Sequence, residues 1–284
     1  MREQALRWPD RVVAVACWLS AALVASVFVW ILADLLRDGF SGLSWSFLIT
    51  APQDAGRAGG IGPIVVSTLL ILAVCLAVAV PLGLGTAALL AEFTPSEGRF
   101  ATLVRRSLDI LAGIPSIVFG LFGNVLFSRV LGLGFSILSG GLTLACMVLP
   151  ILIRTAEEAL RATPRATRMG AAALGLSRCA ILFHLLLPSS APGLTVGIVL
   201  GIGRALAETA ALIFTSGYVA RLPGSLFDSG RTLSVHIYDL SMNVPGGEAN
   251  AASSALVLMG LLLAINLAAA SLGDRWLGGR GRAE

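Results

Sequence analysis

Two charges in this chain stand where charge is expensive. Arg204 and Glu208 lie near the middle of an apolar run from about Ala191 to Thr215, the fifth of six such runs. An arginine deep in a bilayer costs about 2.5–3.5 kcal/mol on insertion scales, so it needs a partner or a water-filled cavity. On a helix turning about 100° per residue, Gly197, Gly201, Arg204, Glu208, Ala211 and Thr215 share one narrow face. Gly193 begins the same ridge of small side chains, which lets a second backbone approach closely. Two chemistries fit this face. Arg204 and Glu208 can form an i,i+4 ion pair that neutralises itself and locks two helices together. Alternatively, the face lines a path for an anion. The planar guanidinium fork suits a tetrahedral oxyanion, and Glu208 would keep the site from trapping it. The two roles can coexist, and the candidates for the path are Arg204, Glu208 and Thr215.

Other polar groups carry less. The chain has no lysine, so its 20 cationic side chains apart from histidine are all arginine. A phosphate-gripping loop of the form G-x-x-x-x-G-K-[ST] is therefore excluded, and with it ATP hydrolysis by that route. A lysine Schiff base is excluded too. Cys17, Cys75, Cys146 and Cys179 are scattered without C-x-x-C spacing, which suggests neither a zinc site nor a disulfide framework. His184 and His236 have no ligand cluster in sequence, so no metal is expected. Ser139-Gly140 and Ser216-Gly217 find no histidine in an apolar run to act as base, so a serine protease is dismissed. Asp109 is expected to pair with Arg105 and Arg106. Glu157 and Glu158, spaced for Arg154 and Arg161, read as a solvated, salt-bridged helix end. Asn266 reads as an interhelical hydrogen bond.

The elements that must position these groups are set by composition. A hydrophobic fraction of 56% with 13% charged residues and a mean hydropathy of +0.89 exclude an ordinary soluble domain. In lipid the backbone must satisfy its own polar groups, which calls for helices. The pattern predicts an all-α integral membrane protein, one domain over residues 1–284, with six spans at about 12–33, 64–90, 108–127, 134–153, 191–215 and 249–272. The first run is too long for a signal peptide and ends at Asp34 without a convincing cleavage site. Pro81 is expected to kink the second span, and Trp45 and Phe47 can sit at the outer interface. Arg2, Arg7, Arg11, Arg99, Arg105, Arg106, Arg154, Arg161, Arg165, Arg168, Arg178, Arg275, Arg280 and Arg282 fall on one side. Arg37, Arg57, Arg129, Arg221 and Arg231 fall on the other. The positive-inside bias then puts both termini and the long loop 154–188 in the cytoplasm.

That loop has the grammar of two short helices and a joint. Thr163 can cap a helix whose first position is Pro164, and Arg165 to Leu174 read as a small basic helix. Gly175 sits where a left-handed residue would end it. Ser177 can cap a second helix through Ile181, Phe183 and Leu187, closed by Pro188. A solvated connector would carry the same grammar.

Residues Met169-Gly170-Ala171, Gly175 and Leu185-Leu186-Leu187-Pro188 also resemble the cytoplasmic loop of bacterial ABC importer permeases, E-A-A, three residues, Gly, nine residues, I-x-L-P. The match departs at Met169, where the family usually has glutamate, and at Gly170. More narrowly, Leu111 to Gly123 (L-A-G-I-P-S-I-V-F-G-L-F-G), Gly203 to Ala210 (G-R-A-L-A-E-T-A), Gly59 to Pro63, Thr232 to Tyr238 and Asn266 resemble the PstA-type permease family of bacterial phosphate importers. The resemblance covers nearly the whole chain and implies the type I ABC importer permease architecture in a bacterial plasma membrane. It implies partnership with a homologous C-type permease, two ATPase subunits and an extracytoplasmic phosphate-binding protein, besides membrane lipid, with no nucleic acid. It implies a non-catalytic transport subunit that binds no cofactor, with ATP used by the partner. Thr163, Pro164, Arg165, Arg168, Met169, Gly170, Ala171, Leu174 and Gly175 would then couple the chain to its ATPase. The alternatives are a permease for molybdate or sulfate, and a membrane scaffold or sensor that transports nothing.

Overall fold

A computed structural model describes residues 8–95 and 98–278. Arg2, Arg7, Arg280 and Arg282, used above for orientation, lie outside the described residues. Four helices are each long and apolar enough to cross a membrane: α1 (Trp8–Gly42), α3 (Gly62–Ala88, continued by a π-helical turn Leu89–Phe93), α6 (Ile137–Arg161) and α13 (Glu248–Gly278). Two bent helix pairs pass the same test together, which gives up to six crossings when each pair is one span. In the first, α4 (Arg99–Ala112) meets α5 (Ser116–Gly123, extended by a π-helical turn Asn124–Val130) at 102°. In the second, Arg178–Ser189 meets α10 (Ala191–Leu206) at 71°. Shorter pieces are α2 (Trp45–Ile49), a hairpin of β1 (Pro52–Gln53) and β2 (Ala58–Gly59), α7 (Arg165–Ala173), α8 (Arg178–Ile181, running through a π-helical turn into α9, Leu187–Ser189), α11 (Ala210–Ile213) and α12 (Leu233–Met242).

Four of the six expected spans are single helices, and the third and fifth correspond to the two bent pairs, with boundaries that differ from those expected. α1 runs on to Gly42 through the expected start of the external segment. The third span is an elbow. Pro115 has no N–H to continue a helix and takes φ −59°, ψ 140°, while Gly113 caps the helix before it. The fourth span continues to Arg161, so residues 154–161 of the expected loop belong to α6. The fifth breaks after Leu206.

α3, α6 and α10 form the centre of the bundle around Ile71, Cys75, Leu144, Val148, Leu152, Ala205 and Leu206. The glycine ridge foreseen on the fifth span is the reason α10 lies so close. Gly193 faces Ala159, Gly197 faces Thr155 and Leu152, and Gly201 faces Val148, all on α6. α1 stands outside this core with exposed apolar side chains along its length. Its last turns meet α13, where Ser253 Oγ donates to Gly39 O at 3.0 Å. At the end of the bundle where α3 begins, Phe47, Ile61, Ile64 and Leu233 make a separate apolar cluster. Trp45 is exposed there, but Phe47 is buried, against its expected interfacial place. Ser44 caps α2 through Phe47 N–H and draws that ring inward.

Candidate functional site

The fifth span breaks between its two charges. Ala207 N–H donates to Gly203 O at 3.2 Å and Glu208 N–H to Ala205 O at 3.4 Å, closing α10. The chain turns at Thr209, and α11 begins at Ala210. Glu208 Oε1 accepts from Ala211 N–H at 3.1 Å, so the carboxylate caps the new helix. Ser234 Oγ, on α12, donates to Glu208 O at 2.6 Å. Side chains therefore satisfy backbone groups that the break releases, as a discontinuous span in lipid requires. α11 rests on α5 at Gly120, where a Cβ would lie 2.7 Å from Ala211 Cα.

This geometry separates residues that a continuous helix would align. The i,i+4 pair between Arg204 and Glu208 does not form, because α10 ends between them and the carboxylate is committed to Ala211. Arg204 is exposed at the end of α10, beside the middle of α6, with no ion pair or hydrogen bond among the described residues. Thr215 is fully buried. Its hydroxyl donates to Ala211 O at 2.8 Å, and its carbonyl accepts from Ser136 N–H at 3.1 Å. Asn266 Oδ1 is buried without a hydrogen-bond partner among the described residues, so the interhelical bond expected of it is not made through that atom.

At the far end of α6 lies the second candidate, α7. Gly175 has φ +81°, the left-handed stop expected of it. Ser177 Oγ accepts from Ala180 N–H at 3.2 Å, capping α8 as expected. The start of α7 differs by one residue. Pro164 is itself the cap residue, with ψ 140°, and Thr163 instead shares a 3.2 Å hydrogen bond with Ser189 Oγ. The loop residues divide between two faces. Arg165, Met169, Gly170, Leu174 and Gly175 are exposed, with Met169 at 71% and Leu174 at 83%. Ala171 is buried against Ala88, Leu160 and Leu182. Arg168 also turns inward. Its Nη1 pairs with Glu92 Oε2 at 2.9 Å, and its Nη2 donates to Leu160 O at 2.5 Å.

Sequence reasoning missed the ionic frame beneath α7. Glu157 is buried, not solvated, and its Oε1 is shared by Arg105 Nη2 at 2.7 Å and Arg161 Nε at 3.0 Å. Arg161 Nη2 also donates to Leu90 O at 2.9 Å. Asp109 pairs with Arg154, not with Arg105 or Arg106. The partners are exchanged because α4 packs along the end of α6. The i,i+4 spacing of Arg105 and Asp109 facing Arg154 and Glu157 was the available signal.

At the opposite end, Arg231 Nη1 pairs with Asp239 Oδ2 at 3.0 Å and lies 3.4 Å from His236 Nδ1. Its Nε donates to Tyr218 O at 2.9 Å. Burial first, and the Arg231 charge second, push the His236 pKa down to about 4.

Comparison with known proteins identifies this architecture. Residues 79–276 match the family of binding-protein-dependent transport system inner membrane components. A probable ABC transporter permease protein, YqgI of Bacillus subtilis, is 33% identical, with 92% of each chain covered. The phosphate transport system permease protein PstA of Mycobacterium leprae is 31% identical over 90% of this chain and 86% of its own. Among solved structures, a bacterial alginate ABC transporter chain superposes with a TM-score of 0.65 at 15% identity, covering 95% of this chain and 97% of that one. A chain of the MetNI methionine ABC transporter, captured facing inward, gives 0.58 at 16% identity, covering 74% and 91%. A helical bundle with broken third and fifth spans, an exposed short helix after the fourth and this family match together mean that the chain belongs to the binding-protein-dependent transport permeases, as an ABC importer permease subunit of the inner membrane.

Proposed function

We propose that this chain forms half of the translocation path of an ATP-driven phosphate importer. The observation that carries the reading is Arg204, an exposed guanidinium without a partner among the described residues, at a helix break beside the middle of α6. A free fork at that depth offers paired N–H donors to a tetrahedral oxyanion. Glu208, held by Ala211, limits how deep the positive well becomes. The identity with a phosphate transport permease over most of both chains supports phosphate over other oxyanions.

The rest of the assembly follows from this reading. A homologous C-type permease supplies the other wall, and a separate pair of ATPase subunits docks on the exposed face of α7 through Met169, Gly170, Leu174 and Gly175. An extracytoplasmic binding protein delivers phosphate at the α12 end, with both termini in the cytoplasm. Closure of the ATPase dimer pushes α7 and reorients the cavity between the permeases, giving alternating access.

Labelled phosphate uptake in starved cells lacking the chain tests this, with wild type or Arg204→Gln restored at equal membrane levels. Rescue by wild type and failure of Arg204→Gln is the expected result. Rescue by both would reduce Arg204 to a packing charge. Rescue by neither, with no other importer active, would overturn the phosphate assignment and turn the search to molybdate and sulfate.

A further inference from the structure

α7 is held to the rest of the permease by little apolar surface. Ala171 is its one buried residue among those described, and a single methyl group resists neither sliding nor rolling. Among the described residues of α7, the side chain bonded to the rest of the chain is that of Arg168. Its guanidinium is bonded at both ends, to Glu92 at the end of the second span and to the carbonyl of Leu160 near the end of the fourth. Both charged side chains are largely shielded, at 19% and 12% exposure, so the pair is less screened than a surface bridge.

The link continues past Glu92. Arg161 reaches back to Leu90 O in the same π-helical turn that carries Glu92. Arg161 shares the buried Glu157 carboxylate with Arg105. Arg105 belongs to α4, the arm that enters the 102° elbow at Gly113–Pro115. Beyond the elbow, α5 touches α11 at Gly120, next to the helix break that carries Arg204 and Glu208. One chain of charge-assisted contacts therefore joins α7 to the arm leading to that break.

We propose that Arg168 and Glu92 are the mechanical link through which displacement of α7 reaches α3 and α6, and that Glu157 relays it to α4. Arg168 is then a positioning residue facing the permease, not a contact to the ATPase. The inference rests on the docking and transport reading above, but its test separates the two.

The assembled complex, with its ATPase and binding protein, is placed in liposomes as wild type, Glu92→Gln, Arg168→Gln and the exchanged pair Glu92→Arg with Arg168→Glu. ATPase retention, ATP hydrolysis and inorganic phosphate carried per ATP are measured. An environment-sensitive fluorophore on Ile110→Cys, with Cys17 and Cys179 replaced by serine, reports ATP-dependent movement of α4; Ile110 is 69% exposed. Both single variants are expected to keep the ATPase bound and hydrolysing. They should lose phosphate carried per ATP by about ten-fold, together with the α4 signal. The exchanged pair should recover part of each. Loss of the ATPase from Arg168→Gln alone would make Arg168 a docking contact and overturn the proposal. Single variants that match wild type, an exchanged pair no better than either, or no α4 signal in wild type would do the same. An ATP-dependent α4 signal that vanishes in the variants, in a complex that carries no phosphate, would uphold the link and defeat the substrate assignment alone.

Discussion

Replacing Gly120 by alanine tests whether the helix break is set by close approach of α5 to α11. An added Cβ would lie 2.7 Å from Ala211 Cα, 3.1 Å from its carbonyl oxygen and 3.3 Å from its carbonyl carbon. All three neighbours are backbone atoms, so no side chain can rotate out of the way. Nonbonded carbons rest at about 3.5–4.0 Å, so the two helices must part by about 1 Å. Overpacking of this kind costs about 1–3 kcal/mol. Each kcal/mol lowers a thermal midpoint by roughly 2–4 °C at comparable chain length. The displacement falls on Ala211, whose N–H is held by Glu208, and so disturbs the cap that separates Glu208 from Arg204. Phosphate uptake should therefore fall with the midpoint. Gly203→Ala is the control. It lies beside Arg204, inside α10, and an added Cβ there meets nothing within 4 Å. Helix propensity alone predicts a gain of up to about 1 kcal/mol. The assay is the thermal midpoint in detergent together with labelled phosphate uptake at matched membrane levels. A silent Gly120→Ala, or a Gly203→Ala that is equally damaging, would refute the close-approach argument.

The remaining predictions concern the two ends of the bundle. Gly175→Pro demands φ near −65° where the chain has +81°, and it removes the N–H that donates to Ala172 O at 3.0 Å. Membrane insertion should survive while ATP hydrolysis is uncoupled from uptake, and normal coupled uptake would defeat the docking model. At the α12 end, the folded pKa of His236 lies at about 4, below its ordinary value of 6.5. Folded and unfolded chains both hold it neutral above about pH 6.5, so stability is then unaffected. As pH falls towards 4 the unfolded chain takes up the proton first, and about 2 kcal/mol of stability is lost by pH 5. Thermal midpoints at pH 7.5 and 5 should show this loss in wild type and lack it in His236→Gln; the same loss in both would place its origin elsewhere.

The features legible in sequence were those encoded by local chemistry. Gly175 could be read as a helix stop because its left-handed backbone is a property of one residue. Ser177 could be read as a cap, and Gly193, Gly197 and Gly201 as a ridge for close helix approach, for the same reason. The elbow at Gly113–Pro115 was equally local, since proline after a capping glycine disfavours a straight span. Apolar continuity through Leu111, Ile114 and Ile117 outweighed that signal, because hydropathy counts residues and not hydrogen bonds. The break after Leu206 had no local breaker to announce it. Ala207 and Ala210 favour helix, so tertiary contacts decide against it. Ser234 takes the Glu208 carbonyl, and Gly120 admits α11.

The charges show the same division more sharply. Helical spacing assigned Glu157 to Arg161, which is correct as far as one helix reaches. It could not add Arg105, because that contact requires α4 to fold back along α6. It allowed Arg204 to pair with Glu208, one of two readings of that face, because it assumed a helix that tertiary contacts interrupt. In water such an error would matter little, since exposed ion pairs contribute about 0–1 kcal/mol. At Arg204 it matters more, because the break removes one of the two readings of that face. A continuous helix would leave Arg204 neutralised within its own span, whereas the break leaves its guanidinium without a partner among the described residues, the arrangement on which the proposed anion path rests.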